Sequence, residues 1–224
     1  RPDLLLVLGD RFEMHAAVVA SLPFTIPVAH IHGGESTRGA IDEAMRHSIT
    51  KMSHLHFVTA ETYARRVIQM GEEPWRVVVT GAPSLDNLRS ISLRSREELE
   101  REYGLDPADP FLLVTFHPAT LEYEDTDYHV TELLAALDRV DYPLVFTYPN
   151  ADTRGRRIIR MIKEFSAGRP KVLLLDNLGT RDYMSMMNHA RAMAGNSSSG
   201  IIEAASFRLP VVNIGTRQEG RIRE

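Results

Sequence analysis

Gly195-Asn196-Ser197-Ser198-Ser199-Gly200 runs directly into Ile201-Ile202-Glu203-Ala204, and after Pro210 the chain continues as Val211-Val212-Asn213-Ile214-Gly215. A small-residue turn between a buried strand and a helix, with a second apolar run beyond it, is the punctuation of a chain that alternates strand and helix. Such a turn collects free backbone N–H groups, serine hydroxyls and the positive end of a helix dipole, which suits phosphate. Glu203, a turn further on, then comes within reach of a ribose hydroxyl. The competing reading is a Ser-capped helix with no ligand, because serine is a common N-cap. These residues alone do not separate the two.

Apolar runs recur along the whole chain, at 4–8, 28–31, 55–58, 77–80, 111–116, 144–148, 172–175 and 211–214, with helical periodicity between them, for example at 40–51, 61–70 and 154–165. Strands that are apolar throughout and alternate with helices predict parallel sheets covered on both faces, so the fold class is α/β. The alternation breaks between Pro83 and Pro110. There Ser95 and Glu98 form the pattern of a capping box for a helix over 96–103 that Gly104 ends, and 106–110 is turn chemistry. The expected organisation is a first domain over 1–85, a crossover helix over 86–105 and a second domain over 106–224.

With 224 residues, 43% hydrophobic and 25% charged, the chain has the composition of a globular protein with a sizeable core. A net charge of −4 does not suggest a nucleic-acid surface, so local arginines must serve any anionic ligand. With no cysteine, disulfides, thiolate metal sites and a cysteine nucleophile are excluded. No apolar run approaches a membrane span. The chain starts with Arg1 almost directly in an apolar run and stops at Glu224 without a helix end, which predicts a piece of a longer protein.

In open α/β sheets ligands sit at the carboxyl ends of the strands. Seven such ends are polar: Gly9-Asp10-Arg11, 30–35, 81–83, His117-Pro118, 149–152, 195–198 and Gly215-Thr216-Arg217. Together they point to a shared cleft. Asp10 taken alone reads as a helix cap and Arg11 as solvated. His32, Glu35, Asp42, Glu43, Arg46 and His47 lie close together, with Asp42 and Arg46, and Glu43 and His47, at the i,i+4 spacing of surface pairs. Gly33-Gly34 resists that bland reading, since it removes side chains where His32 and Glu35 would flank a ligand. His47, His54 and His56 do not match a zinc ligand spacing, and no metal is expected.

These blocks resemble the UDP-N-acetylglucosamine 2-epimerases, most closely the hydrolysing branch of sialic-acid and related sugar biosynthesis. The resemblance rests on 8–13, 30–35, 41–51 and 53–57 in the first half. In the second it rests on Thr115-Phe116-His117-Pro118, Tyr148-Pro149-Asn150, 195–203 and 213–221. It implies two Rossmann-like doubly wound domains facing across a cleft, as in many nucleotide-sugar glycosyltransferases. The opening of the first domain, roughly two or three βα units or about 60 to 90 residues, and the C-terminal helix would then lie outside this chain.

The family also implies site residues. His117, Asn150, Ser197, Ser198 and Glu203 look like the UDP site, with the serines on the phosphates and Glu203 on the ribose, and Arg217 resembles the residue that neutralises the diphosphate. Asp10, Arg11, His32, Glu35 and Asp42 match the acidic and catalytic region. Asp10 and Asp42 share general acid and base work, and His32 stands where many relatives carry a glutamate. The implied reaction is anti elimination of UDP across C1–C2 and addition of water, giving N-acetylmannosamine from UDP-N-acetylglucosamine, with a UDP-diacetamido-dideoxy sugar as the alternative substrate. A non-hydrolysing 2-epimerase, a glycosyltransferase of the same layout and a non-catalytic nucleotide-sugar binding module are the rivals. No cofactor, nucleic acid or membrane partner is expected. A bacterial, cytoplasmic homo-oligomer, dimer or tetramer, is.

Overall fold

The computed structural model describes residues 1–106 and 108–222. By contacts the chain divides into two compact units, one comprising 1–89 with 219–222 and the other 90–218. Each is an α/β unit with one parallel sheet.

In the first unit the elements run β1 (Leu5–Leu8), α1 (Phe12–Ser21), β2 (Val28–Ile31), α2 (Asp42–Met52), β3 (Leu55–Val58), α3 (Glu61–Gln69) and β4 (Val77–Val79). The sheet order is β1-β2-β3-β4, all parallel, in the register Leu5↔Val28, Ala29↔Leu55 and His56↔Val77. Val7, Val18, Val28 and Ile49 close one core against α1 and α2, and Val58, Tyr63, Ala64 and Val67 close another against α3. β1 lies at the sheet edge, and Leu4, Leu6 and Leu8 are 47%, 58% and 54% exposed.

The second unit holds α4 (Asn87–Ser90), which begins in the first, and α5 (Arg96–Tyr103), β5 (Leu112–Thr115), α6 (Thr126–Leu137) and β6 (Leu144–Thr147). It continues through α7 (Gly155–Ser166), β7 (Val172–Leu175), α8 (Gly179–His189), β8 (Ala192–Gly195), α9 (Ser199–Ile202) and β9 (Val211–Asn213). The capping box forms, with Ser95 Oγ accepting from Glu98 N at 3.2 Å and Glu98 Oε2 accepting from Ser95 N at 2.7 Å, and Gly104 closes α5 in the left-handed region at φ +71°. Arg94 and Tyr103 both reach Asp182 of α8, at 2.5 Å each, so this crossover segment packs within the second unit.

The sheet order β7-β6-β5-β8-β9 is doubly wound. The chain moves outward from β5 to β6 and β7, then returns to the other side of β5 for β8 and β9. That reversal puts a topological switch point at the carboxyl ends of β5 and β8, where such sheets bind ligands. Strand alternation sorts the core: Val114, Leu144 and Phe146 pack with α6 and α7, while Leu113, Val145 and Met193 pack with Leu99, Met186 and Met187.

No periodic stretch marks α6 or α8, and β8 is marked only by the turn that follows it. β8 reads Ala-Met-Ala-Gly, with none of the β-branched residues that mark a strand. It pairs there because small side chains admit close approach. A Cβ on Gly195 would lie 1.9 Å from the Thr115 carbonyl oxygen.

Candidate functional site

In the second unit the switch point is built by His117, which follows β5, and the turn after β8. Asn196 ties them together: its Oδ1 accepts from His117 N at 2.7 Å, its Nδ2 donates to His117 O at 2.8 Å, and its own N–H reaches Thr115 O at 3.1 Å. Asn150 N donates to His117 Nδ1 at 3.0 Å. Since Nδ1 accepts, the neutral ring carries its proton on Nε2, which leaves a donor for a ligand. Burial, and then the Arg217 charge, push the His117 imidazole down to about 3, so it is neutral at physiological pH. The Asn150 side chain is held by Asp152, its Nδ2 donating to Oδ2 at 2.5 Å.

Arg217 lies at this switch point, its Nε donating to Pro118 O at 3.2 Å and its Nη1 to Asn196 O at 3.3 Å. Ser197 is buried and its Oγ accepts from Ser199 N at 3.3 Å. Among the described residues, no carbonyl accepts from the backbone N–H of Ser197 or Ser198. The helix beyond corrects the sequence reading. α9 is a single turn, and Glu203, its C-cap, passes the chain into a 3-10 segment, Ala204–Phe207. A macrodipole needs aligned peptides over several turns, so any anion here relies on local N–H groups and hydroxyls rather than on the helix. Tyr183 of α8, which sequence reading passed over, is pushed up by burial, with Ser199, Thr115, Ser197 and Glu203 around its hydroxyl.

In the first unit the residues beyond β1 and β2 meet the start of α2, and Thr59, beyond β3, reaches the loop after β2. Asp10 is not the helix cap: Arg11 occupies that position with no side-chain bond, and the Asp10 carboxylate instead receives Arg46 of α2. Arg11 turns to Glu13, at 3.6 Å, and its guanidinium lies over the Phe12 ring. Glu43, in the first turn of α2, holds the preceding loop. Its Oε1 accepts from Ser36 Oγ at 2.8 Å and its Oε2 from Thr37 N at 2.5 Å, while Arg46 Nη1 and His47 Nε2 each lie 3.2 Å away. Asp42 opens the same helix. The expected Glu43–His47 pair is present, but Arg46 is buried rather than part of a surface pair.

His32 and Glu35 do come together, with Nδ1 2.6 Å from Oε1. Glu35 is 2% exposed. Thr59 Oγ1 donates to its Oε1 at 2.9 Å and Arg221 Nη1 to its Oε2. Burial pushes the Glu35 carboxyl up, but the His32 hydrogen bond, the Arg221 charge and Thr59 outweigh it and leave the group below the usual carboxylate range. An ionised carboxylate only accepts, so His32 carries its proton on Nδ1 and keeps Nε2 for other work. His32 sits at φ +69°, in the left-handed region. The glycines after it serve packing, not ligand room: a Cβ on Gly34 would lie 2.6 Å from Tyr63 O, and one on Gly33 3.1 Å from His30 Nδ1.

The other histidines have separate partners. His30 Nε2 donates to Gly9 O at 2.8 Å, and burial pushes its imidazole down to about 4. His54 Nδ1 accepts from Val28 N at 3.2 Å, and His56 lies 3.3 Å from Glu72.

The α/β chain thus carries a polar switch point after β5 and β8 and a separate set of ion-paired carboxylates after β1 and β2. It belongs to the UDP-N-acetylglucosamine 2-epimerase family, whose model matches residues 1–224. It is 41% identical over 225 residues to the GDP/UDP-N,N'-diacetylbacillosamine 2-epimerase (hydrolyzing) of Campylobacter jejuni, covering 100% of this chain and 59% of that protein. It is 39% identical to the UDP-N,N'-diacetylbacillosamine 2-epimerase (hydrolyzing) of Legionella pneumophila, covering 99% of this chain and 58% of that one. The chain thus spans less than two thirds of these relatives. In fold it resembles the crystal structure of UDP-GlcNAc 2-epimerase from Neisseria meningitidis bound to UDP-GlcNAc, with a TM-score of 0.77, 21% identity and coverage of 97% of this chain and 61% of that one. Among the described residues, no helix is long and apolar enough to cross a membrane.

Proposed function

We propose that the protein containing this chain is a hydrolysing UDP-sugar 2-epimerase. It eliminates UDP across C1–C2, the C1–O bond breaking ahead of the C2–H bond, to leave a glycal, and adds water across that double bond to release the 2-epimer. The observation that carries this reading is the carboxylate cluster of the first unit, with Glu35 buried among His32, Thr59 and Arg221 and Asp10 ion-paired with Arg46. A glycosyltransferase or a simple nucleotide binder calls for the switch point of the second unit but not for these acids.

In this reading Ser197, Ser198, Arg217 and the Nε2–H of His117 bind the diphosphate, and Glu203 holds the ribose. The C2 hydrogen is not acidic, so the C1–O bond must be largely broken before a base removes it, and charge on the leaving diphosphate is the main electrostatic demand. Asp10 and Asp42 share the acid and base work. His32 Nε2, oriented through its Nδ1 by Glu35, is a third proton-transfer group. Of three relatives near 40% identity, the names of two favour a UDP-2,4-diacetamido-trideoxy sugar as substrate, while the third is named a polysialic acid biosynthesis protein.

Proton NMR in heavy water tests this. Full-length protein given either UDP-sugar with no acceptor is expected to release UDP and the 2-epimer carrying solvent deuterium at C2. Tight UDP binding with no turnover of either sugar would instead make it a binding module, and turnover only with an added acceptor would make it a glycosyltransferase.

A further inference from the structure

Among the described residues, the largest fully buried side chain is that of Arg46, 1% exposed. A guanidinium taken out of water loses hydration that an ion pair only partly restores, and a well-packed apolar residue of the same volume is often as stable or more so. Arg46 faces both of its carboxylates with separate nitrogens: Nη2 meets Asp10 Oδ2, and Nη1 lies 3.2 Å from Glu43 Oε2. Asp10 stands 36 residues earlier in the chain, at the carboxyl end of β1. Glu43, in turn, is fixed by Ser36, Thr37 and His47. The other charged or titratable neighbours are Arg221, Arg66 and Tyr63. Burial, with the Arg221 charge next, pushes Arg46 down to about 9, which still leaves it cationic at neutral pH.

We propose that Arg46 is a positioning residue of the reaction, holding Asp10 as an oriented, ionised carboxylate, with Glu43 as the counter-charge that keeps the guanidinium in place. The inference rests on the catalytic reading of Asp10 given above and adds a direction to it. A carboxylate paired with a buried cation accepts protons and does not deliver them, so Asp10 is the base of the Asp10 and Asp42 pair. A purely structural bond between the β1 turn and α2 would need no such charge on Asp10. Lysine, a point charge without the planar fork, keeps the field but loses the two-handed geometry.

The test measures the Asp10 carboxyl directly, by carbon-detected NMR titration of the full-length protein, alongside the acid limb of kcat/KM. In the wild type the Asp10 carboxyl should titrate below an ordinary aspartate, and Arg46→Met should raise it by about 1 to 3 pH units, the range for loss of an adjacent opposite charge. Arg46→Lys should recover part of that shift. The acid limb should move in parallel, and kcat should fall with KM little changed. An ordinary Asp10 value in the wild type overturns the proposal even if Arg46→Met fails to fold. An unmoved acid limb in a folded Arg46→Met protein does so too. Asp10→Asn separates the two levels: if it stays active, the catalytic reading of Asp10 fails, whereas an inactive Asp10→Asn with an ordinary wild-type Asp10 sinks the role of Arg46 alone.

Discussion

Gly195→Ala should damage the second unit more than any comparable change of a single methyl group. The glycine sits at φ +138°, and its Cβ would lie 1.9 Å from Thr115 O and 2.7 Å from Thr115 C. Both atoms belong to the paired backbone of β5, not to a side chain that can turn aside. An ordinary contact starts near 3.4 Å, so the strands must part by about 1.5 Å at this rung. Two hydrogen bonds are then at stake, Asn196 N to Thr115 O at 3.1 Å and Ile214 N to Gly195 O at 2.8 Å. At about 1 kcal/mol each, plus roughly 1–3 kcal/mol for an L-residue in this backbone region, the expected loss is about 3–5 kcal/mol. For a chain of this size that is a fall in Tm of roughly 6–20 °C. Calorimetry measures it, while fluorescence of Trp75, the single tryptophan, follows the first unit. UDP affinity should fall as well, because Asn196 next door holds both His117 and Arg217. A Tm within about 2 °C of wild type with unchanged UDP binding would refute this account of the β5–β8 rung.

Acid should destabilise the chain before its carboxylates titrate. His117 and His30 are held near 3 and 4 against an ordinary 6.5, so below pH 6.5 the unfolded chain binds protons that the folded one does not. Their contribution is intact above pH 6.5 and declines as pH falls toward those values, by roughly 2 kcal/mol each at pH 5; a flat stability between pH 7 and 4.5 in denaturant titrations contradicts it. Arg217→Ala in the full-length protein should lower turnover by a factor of order 10² to 10³ while circular dichroism stays unchanged, and retention of more than about half the activity removes Arg217 from the site. Leu6→Lys on the exposed edge strand should reduce self-association of the 224-residue chain in sedimentation, since a charge blunts an edge that otherwise offers unpaired N–H and C=O groups. Equal association of both proteins would show that β1 is not the contact.

Periodicity was enough for the α/β class and for eight of the nine strands among the described residues, and the capping box with Gly104 was enough for α5, because each is a local pattern that neighbouring residues enforce. Periodicity was not enough for β8: Ala-Met-Ala-Gly has no strand signature, and its pairing with β5 brings the Thr115 backbone so close that only glycine fits at position 195. The motifs around His117, Ser197 and Glu35 were legible as chemistry, but their states were not. The tautomer of His117 is set by the N–H of Asn150, and the charge of Glu35 by His32 together with Arg221, 186 residues away, and Thr59. Arg46 shows the limit most plainly. Its spacing on α2 reads as a surface pair, and only the packing of α2 beside the β1 turn makes it a buried partner for Asp10. Spacing along a chain reports which face of an element a residue occupies. Whether that face meets water or another element's charge is decided when distant segments close on one another, and burial and charge state follow from that closure.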